Sequence, residues 1–465
     1  MENISKKIVR IISQNISYDW NLPFNFLAVS KSIGSGFFIN NKGHIITCSH
    51  VIEDAKEVFV QLPDSGKKKY KTKILGICPD FDLGVLQILD YKTEHFLELG
   101  DSDDINFGDE SFAIGFPLGQ DNLKITKGII SGKEGGHFQT DTAINPGNSG
   151  GPLIINDKVI GINASGIGKR KDRIIQNVGY AVPINLLNLI IEPITKTNKV
   201  LIRRPEIGIL YNYLNEDYLK LSKSKCKSGV LINFVNKKSN IYKMGLRKGD
   251  ILCSFNDINI DNQGMGDKFW LKDRMSLDEI IYKLKNNENV KVTYSRNNKY
   301  YSKSFKYSLF NNPIAKIYPL YETIEYFVVG GLVIMKLNEN LIKWIYDGKE
   351  TYNIKYIMKY KDIINRDEDK FVITEIFPNS IIDNINVLNK YDIISNVNNK
   401  KITSFKKLKE SFKKPIIYKK DKYLKIKCES NSEIVINFND ILKEEETYLE
   451  MYQYKRENSI LSLFN

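Results

Sequence analysis

Short apolar runs broken by Gly, Asn and Asp dominate the first 200 or so positions. Lys7–Ser13 alternates apolar and polar residues as an edge strand does. Gly34–His50 reads as two strands joined by an Asn/Gly turn, with a histidine ending the second. Asp82 opens a further apolar strand, Leu83–Ile88. The period changes at Pro183–Ile194, where Leu186, Leu187, Leu189 and Ile190 predict a helix covering a core face. Residues 1–198 therefore read as an all-β domain closed by a helix, and the charged stretch Lys196–Arg204 before Pro205 as a linker.

A repeat follows. Gly229–Val235, Ser239–Leu252 and Asn256–Ile260 set out a strand, a short helix, a turn with Asp, and two more strands. The same rhythm returns in Phe371–Phe377, Leu388–Ile394 and Asn398–Ile402. Each copy then offers a helix. In the first, Ser276 and Glu279 predict a capping box, and Leu277, Ile280, Ile281 and Leu284 one apolar face. In the second, Ser404 can cap a helix bearing Phe405, Leu408 and Phe412. Tyr391 stands where the first copy has Gly249, which puts an equivalent turn there in question. The domains predicted are residues 1–198, 199–310 and 311–465.

At 465 residues the chain has room for two to four domains, and its apolar content is that of a globular protein. The net charge of +13 comes from scattered residues, with lysine in excess over arginine. Without a nucleic-acid motif it gives no reason to expect nucleic-acid binding. The five cysteines (Cys48, Cys78, Cys226, Cys253, Cys428) are odd in number and lack a C-x-x-C pair. They read as buried thiols of a reducing compartment, and no metal site is expected from them or from the four histidines. Met1–Asn25 has no apolar core of a secretory leader, and no run approaches the roughly 20 residues of a membrane span. A cytoplasmic chain is expected, the alternative being an organellar one with Lys7–Ser13 in an amphipathic transit segment.

The chemistry gathers around Thr140–Leu153, which holds Gly147-Asn-Ser149-Gly-Gly. A hydroxyl becomes a useful nucleophile when its backbone is tightly placed and a base is near. Gly147 permits close approach of a carbonyl, so the N–H groups of Gly147 and Ser149 can point at an oxyanion. His50 is the candidate general base. Asp82 is the candidate for fixing its tautomer, with Asp80 as the nearby competitor, while Asp141 is expected to order the nucleophile loop. The chain order His, Asp, Ser is that of chymotrypsin-like proteases.

With Gly34–Phe37, Thr47–Ile52, Asp82–Leu86, Thr140–Leu153 and Val178–Pro183 in that order, the sequence resembles the Deg/HtrA (Do-like) family. These are trypsin-type serine proteases followed by PDZ domains. The insertion Asn262–Arg274 and the Gly330–Val333 segment resemble the plant-type branch, whose second PDZ domain is divergent. The resemblance implies a mainly β fold: a chymotrypsin/trypsin-like double β-barrel, then two PDZ-like domains. It implies an ATP-independent endopeptidase without cofactor, unfolded or misfolded protein substrates, and a trimer-based homo-oligomer. Ala143, six residues before Ser149, and Ile144 would line the S1 pocket; neither is charged, so small or medium aliphatic side chains are expected there. The basic loop Lys169–Arg173 falls where the family has an activation loop. Ile207, Gly208 and Ile209, within Glu206–Leu210, align with the PDZ segment that receives a peptide end, though Glu206 would disfavour a carboxylate close by. The alternative is a chaperone or scaffold that binds peptides through its PDZ domains and cleaves little.

Overall fold

The computed structural model describes residues 3–166, 169–170, 173–174, 177–197, 199–348 and 354–464. The chain forms two compact units, Met1–Ile16 with Val29–Phe310, and Ser17–Ala28 with Asn311–Asn465.

The first unit begins with two closed barrels, the trypsin-like double barrel expected. Barrel one is β1 (Ile8–Tyr18), β2 (Phe26–Phe38), β3 (His44–Thr47), β4 (Ala55–Gln61), β5 (Lys69–Cys78) and β6 (Leu83–Ile88). They close in the order β1-β2-β3-β6-β5-β4. The Asn/Gly turn between β2 and β3 forms as predicted: Asn40 Oδ1 accepts from Lys42 N–H and His44 N–H, and Gly43 takes φ +75°.

Barrel two is β7 (Glu110–Gly115), β8 (Lys124–Glu134), β9 (His137–Thr140), β10 (Pro152–Ile155), β11 (Lys158–Gly166) and β14 (Gly179–Pro183). Between the last two lie the short strands β12 (Lys169–Arg170) and β13 (Arg173–Ile174). The predicted helix after β14 is a 3-10 turn, Ile184–Leu189, followed by an α-helix, Ile191–Thr197. The break lets Leu186, Leu187, Ile190 and Ile194 all reach the core. Pro193 sits near the start of that helix, where its missing N–H costs least.

The remainder of this unit is a six-stranded sheet. It contains β15 (Ile209–Asn212), β16 (Val230–Val235), β17 (Ile251–Phe255), β18 (Ile258–Asn259), β21 (Glu288–Arg296) and β22 (Lys299–Tyr307). The insertion forms a hairpin, β19 (Met265–Trp270) with β20 (Asp273–Ser276), leading into the Leu277–Tyr282 helix. That helix carries the predicted capping box: Ser276 Oγ accepts from Glu279 N–H and the Glu279 carboxylate from Ser276 N–H. Barrel two and this sheet share one apolar core, from Phe138 and Leu153 to Trp270 and Leu277. The Trp270 indole N–H donates to Ser102 O at 3.1 Å. Lys133 and Glu279 pair at 3.3 Å, both nearly enclosed.

One cysteine expectation is corrected here. Cys226 and Cys253 are disulfide-bonded, their Cα atoms 5.7 Å apart. A gap of 27 residues carried no such signal in the sequence. It is the pairing of β16 with β17 that brings the stretch before β16 alongside Cys253. Cys48, Cys78 and Cys428 are buried free thiols.

The second unit is built on an eight-stranded sheet. Its strands are β23 (Tyr326–Val329), β24 (Leu332–Lys336), β25 (Phe371–Ile376), β26 (Ile393–Val397), β27 (Lys400–Lys401), β28 (Ile416–Tyr418), β29 (Asp421–Cys428) and β30 (Glu433–Asn437). The Phe405–Phe412 helix is capped by Ser404 as predicted. Tyr391 adopts the left-handed backbone that Gly249 has, at φ +70° against +90°. Its N–H bonds Ile373 O as that of Gly249 bonds Ile232 O, so the turn survives. The ring is buried beside Trp20, Val372 and Phe377, and its hydroxyl donates to Asn21 Oδ1 at 2.9 Å. The strain of a non-glycine residue there, about 1–2 kcal/mol, is offset by that burial.

Candidate active site

His50 lies in the single-turn helix Ser49–Ile52 at the end of β3, and Asp82 in the turn before β6. Since β3 pairs with β6, the two side chains meet. His50 Nδ1 lies 2.8 Å from one Asp82 carboxylate oxygen and 3.0 Å from the other. The carboxylate also accepts from His50 N–H at 2.9 Å, fixing backbone and ring together. Asp82 sits at φ +55°, a conformation Asp tolerates better than most residues. Burial alone would draw the imidazole pKa down. The hydrogen bond and charge of Asp82, aided by Glu53, outweigh it and leave His50 above its usual 6.5. Asp80, the competitor, accepts instead from Arg204 N–H at 2.8 Å. Asp141 accepts from Ile129 N–H at 2.7 Å, so it orders the loop.

Ser149 lies in the turn before β10. Its Oγ donates to Ala164 O at 2.9 Å, and no hydrogen bond joins it to His50. The turn is packed to backbone contact. A Cβ at Gly147 would strike Phe116 O, one at Gly150 would strike Ser35 O and Thr47 Oγ1, and one at Gly151 would strike Ile114 O. Gly147 and Gly150 also take positive φ, +100° and +86°. Gly150 N–H donates to Asn163 O, and Asn163 N–H to Gly151 O. Among the described residues, the N–H groups of Gly147 and Ser149 have no hydrogen-bond acceptor in the protein. They are available to an oxyanion.

Ser35 organises this turn, a role the sequence reading passed over. Fully buried, it donates through Oγ to Gly147 O at 2.7 Å and accepts from Phe116 N–H, while its own N–H bonds Ser149 O. The signal was present in Gly34-Ser-Gly, read only as a strand.

Of the S1 candidates, Ala143 is exposed, whereas Ile144 is buried in the barrel-two core against Gly179. Ile209 pairs with Val235, and Gly208, at φ +73°, offers its carbonyl to Asn236 N–H. Ile207 packs against the same core. Within the basic loop, Lys171 and Asp172 lie outside the described residues, as do the side chains of its other members.

Cys48, His50 and Asp82 place donor atoms within 4.8 Å of one another, the one such group among the described residues. Burial, with Asp82 adding to it, pushes the Cys48 thiol well up, and Sγ–H donates to Asn163 O at 3.2 Å. The structure gives these three groups contacts to one another and to Asn163 O.

Comparison with known proteins places this geometry in a lineage. The family model "Trypsin-like peptidase domain" matches residues 34–162 and "PDZ domain" matches residues 318–460. The chain is 34% identical over 259 residues to a probable periplasmic serine endoprotease DegP-like of Rickettsia prowazekii, covering 52% of this chain and 49% of that protein. It is 30% identical over 409 residues to the protein of the same name from Rickettsia conorii, covering 84% of this chain and 75% of that protein. The chain spans about half the length of several of the curated relatives it matches. Among solved structures, the HtrA-type protease AlgW with tripeptide covers 66% of this chain and 95% of its own, at a TM-score of 0.51 and 24% identity, a likeness of fold.

These relatives overturn the expectation of a cytoplasmic chain: they are named periplasmic endoproteases, which points to a periplasmic location. The cysteine count had suggested otherwise because the Cys226–Cys253 pair is invisible as a spacing pattern. With its trypsin-like double barrel, its PDZ region and a relative matched over three quarters of its length, the chain belongs to the Deg/HtrA family of serine endoproteases.

Proposed function

We propose that this chain is an ATP-independent serine endopeptidase for unfolded or damaged proteins, working through Ser149, His50 and Asp82. The observation that carries the reading is the His50–Asp82 pair, whose raised imidazole pKa suits a general base. In the reaction Ser149 Oγ leaves Ala164 O and turns to His50, which takes its proton as Oγ attacks the peptide carbonyl. The N–H groups of Gly147 and Ser149 hold the oxyanion. His50 then delivers the proton to the leaving amine, and water hydrolyses the acyl-enzyme. Asp82 fixes the tautomer and stabilises the imidazolium.

Ala143 brings no charge to the S1 pocket, so cleavage follows small or medium aliphatic residues. The first PDZ domain presents β15, paired only with β16 among the described strands, as an edge on which a substrate strand can add beside Ile207, Gly208 and Ile209. The chain acts as a trimer-based homo-oligomer in an oxidising compartment. The finer likeness to the plant-type branch rests on the sequence pattern alone.

One observation favours the scaffold reading: Ser149 donates to Ala164 O and not to His50. Digestion of unfolded casein without nucleotide separates the two readings. The protease reading expects cleavage that disappears in Ser149→Ala. Equal protection of casein from aggregation by wild type and Ser149→Ala, with no fragments at any pH from 6 to 9, would replace it with the scaffold reading.

A further inference from the structure

The turn that carries Asp82 is gripped by residues from well beyond the barrels. Phe81, 2% exposed, meets the Tyr282 ring edge-to-face at 5.2 Å and 85°. Tyr282 belongs to the Leu277–Tyr282 helix of the first PDZ-like sheet. Its ring also reaches barrel two, 5.7 Å from the His137 ring. There the β8–β9 turn has Gly136, where any Cβ would collide with Tyr282.

Arg204 completes the contact. Its guanidinium lies 4.4 Å from the Phe81 ring and 4.7 Å from the Tyr282 ring. Its Nη2 donates to Ile281 O at 2.9 Å and to Tyr307 Oη at 3.4 Å, while its backbone N–H holds Asp80. A half-buried guanidinium stacked on two aromatic rings is a favourable contact. Within the turn itself the backbone bonds are those of Phe81 N–H to Cys78 O and Asp82 N–H to Pro79 O, each 3.1 Å. The left-handed conformation of Asp82 needs outside support, because such strain persists only where the surroundings enforce it.

We infer that Arg204 and Tyr282 are positioning residues for Asp82: the linker and the first PDZ-like domain supply part of the apparatus that orients the His50 imidazole. This rests on the protease reading above. The Tyr282 hydroxyl is buried and has no hydrogen-bond partner among the described residues. The ring and not the hydroxyl does the work, which makes Tyr282→Phe a neutral control. The charged groups acting on His50 are Asp82 and Glu53; those set against Asp82 are His50, Cys48, Tyr282 and His137, while Asp80 and Arg204 act on Tyr282. Weakening the grip changes the Asp82 contacts to His50 and Cys48 and leaves Glu53 in place.

The test uses the full chain and two independent readouts. NMR titration of the His50 imidazole, assigned with His50→Gln, reads the Asp82 contact without needing activity. Tyr282→Ala, Arg204→Ala and Arg204→Lys are each expected to lower the His50 midpoint by about half a pH unit or more, and Tyr282→Phe to leave it alone. Thermal unfolding confirms that each variant is folded, and Arg204→Lys, which keeps the charge and the backbone bond to Asp80, stands in if an alanine variant is not. In peptide hydrolysis, the alanine variants should lose about 10- to 100-fold in kcat with KM little changed. The same changes made on Asp82→Asn should cost almost nothing further. An unmoved His50 midpoint in folded Tyr282→Ala and Arg204→Lys would overturn the inference, as would an equal loss of kcat on the Asp82→Asn background. If the wild type hydrolyses nothing, the protease reading fails, and the NMR titration still decides whether these residues place Asp82.

Discussion

Asp82 acts on His50 against the pull of burial, and the balance sets the pH at which the base is free. Because the imidazole lies above 6.5, the acid limb of kcat/KM should fall above that value, with activity rising as His50 loses its proton. Asp82→Ala removes the group that raises it. The limb should then move to lower pH, while kcat drops on the order of 10⁴-fold. A limb that stays in place would mean another group titrates. Gly147→Ala is the matching test of the oxyanion donors, since its Cβ would strike Phe116 O. A loss of about 10²-fold or more in kcat, with the fold kept, is expected. At this scale the sequence disclosed the pair that the structure brings together, because His50 and Asp82, like the proposed nucleophile Ser149, each sit in a local motif. Ser35, Arg204 and Tyr282 were not disclosed, because they act through contacts across 77 or more positions.

Elements were legible where a local device specifies them. The Ser276–Glu279 capping box and the Ser404 cap both formed. What the sequence did not disclose is that Glu279 also faces Lys133 of barrel two, so a cap residue doubles as half of an enclosed ion pair. Removing one partner leaves the other uncompensated. Lys133→Ala should cost about 3 kcal/mol or more in urea unfolding, against about 1 kcal/mol for Ser276→Ala. Similar costs for the two would contradict the pairing. The second unit has a comparable hidden contact. Glu445 is fully buried, accepts from Gly330 N–H and Tyr454 Oη, and burial lifts its carboxyl to about 7. A folded-state pKa raised above the unfolded 4.5 gives stability that is complete below 4.5 and is lost as pH rises toward 7. Glu445→Gln should therefore gain on the wild type across that window, by roughly 3 kcal/mol. A pH-independent difference would contradict this.

For the whole molecule, family and compartment were legible to different degrees. The ordered motifs of the barrels carried the family, since several independent segments had to agree. Compartment rested on cysteine spacing and on the first 25 residues, and both misled. Covalent pairing depends on which strands lie side by side, as β16 and β17 do around Cys226 and Cys253. Denatured, unreduced protein should accordingly titrate three thiols, those of Cys48, Cys78 and Cys428. Reduction should destabilise the fold by about 2–4 kcal/mol. Finding all five thiols free would contradict the pairing.

If Ser149 is an activated nucleophile, a fluorophosphonate probe should find it in this chain, with the adduct located by mass spectrometry. A single adduct on Ser149 is expected, formed faster as pH rises through the His50 titration and absent in His50→Ala. An intact protein that takes no adduct at Ser149 across that pH range, or takes it equally well without His50, would contradict it.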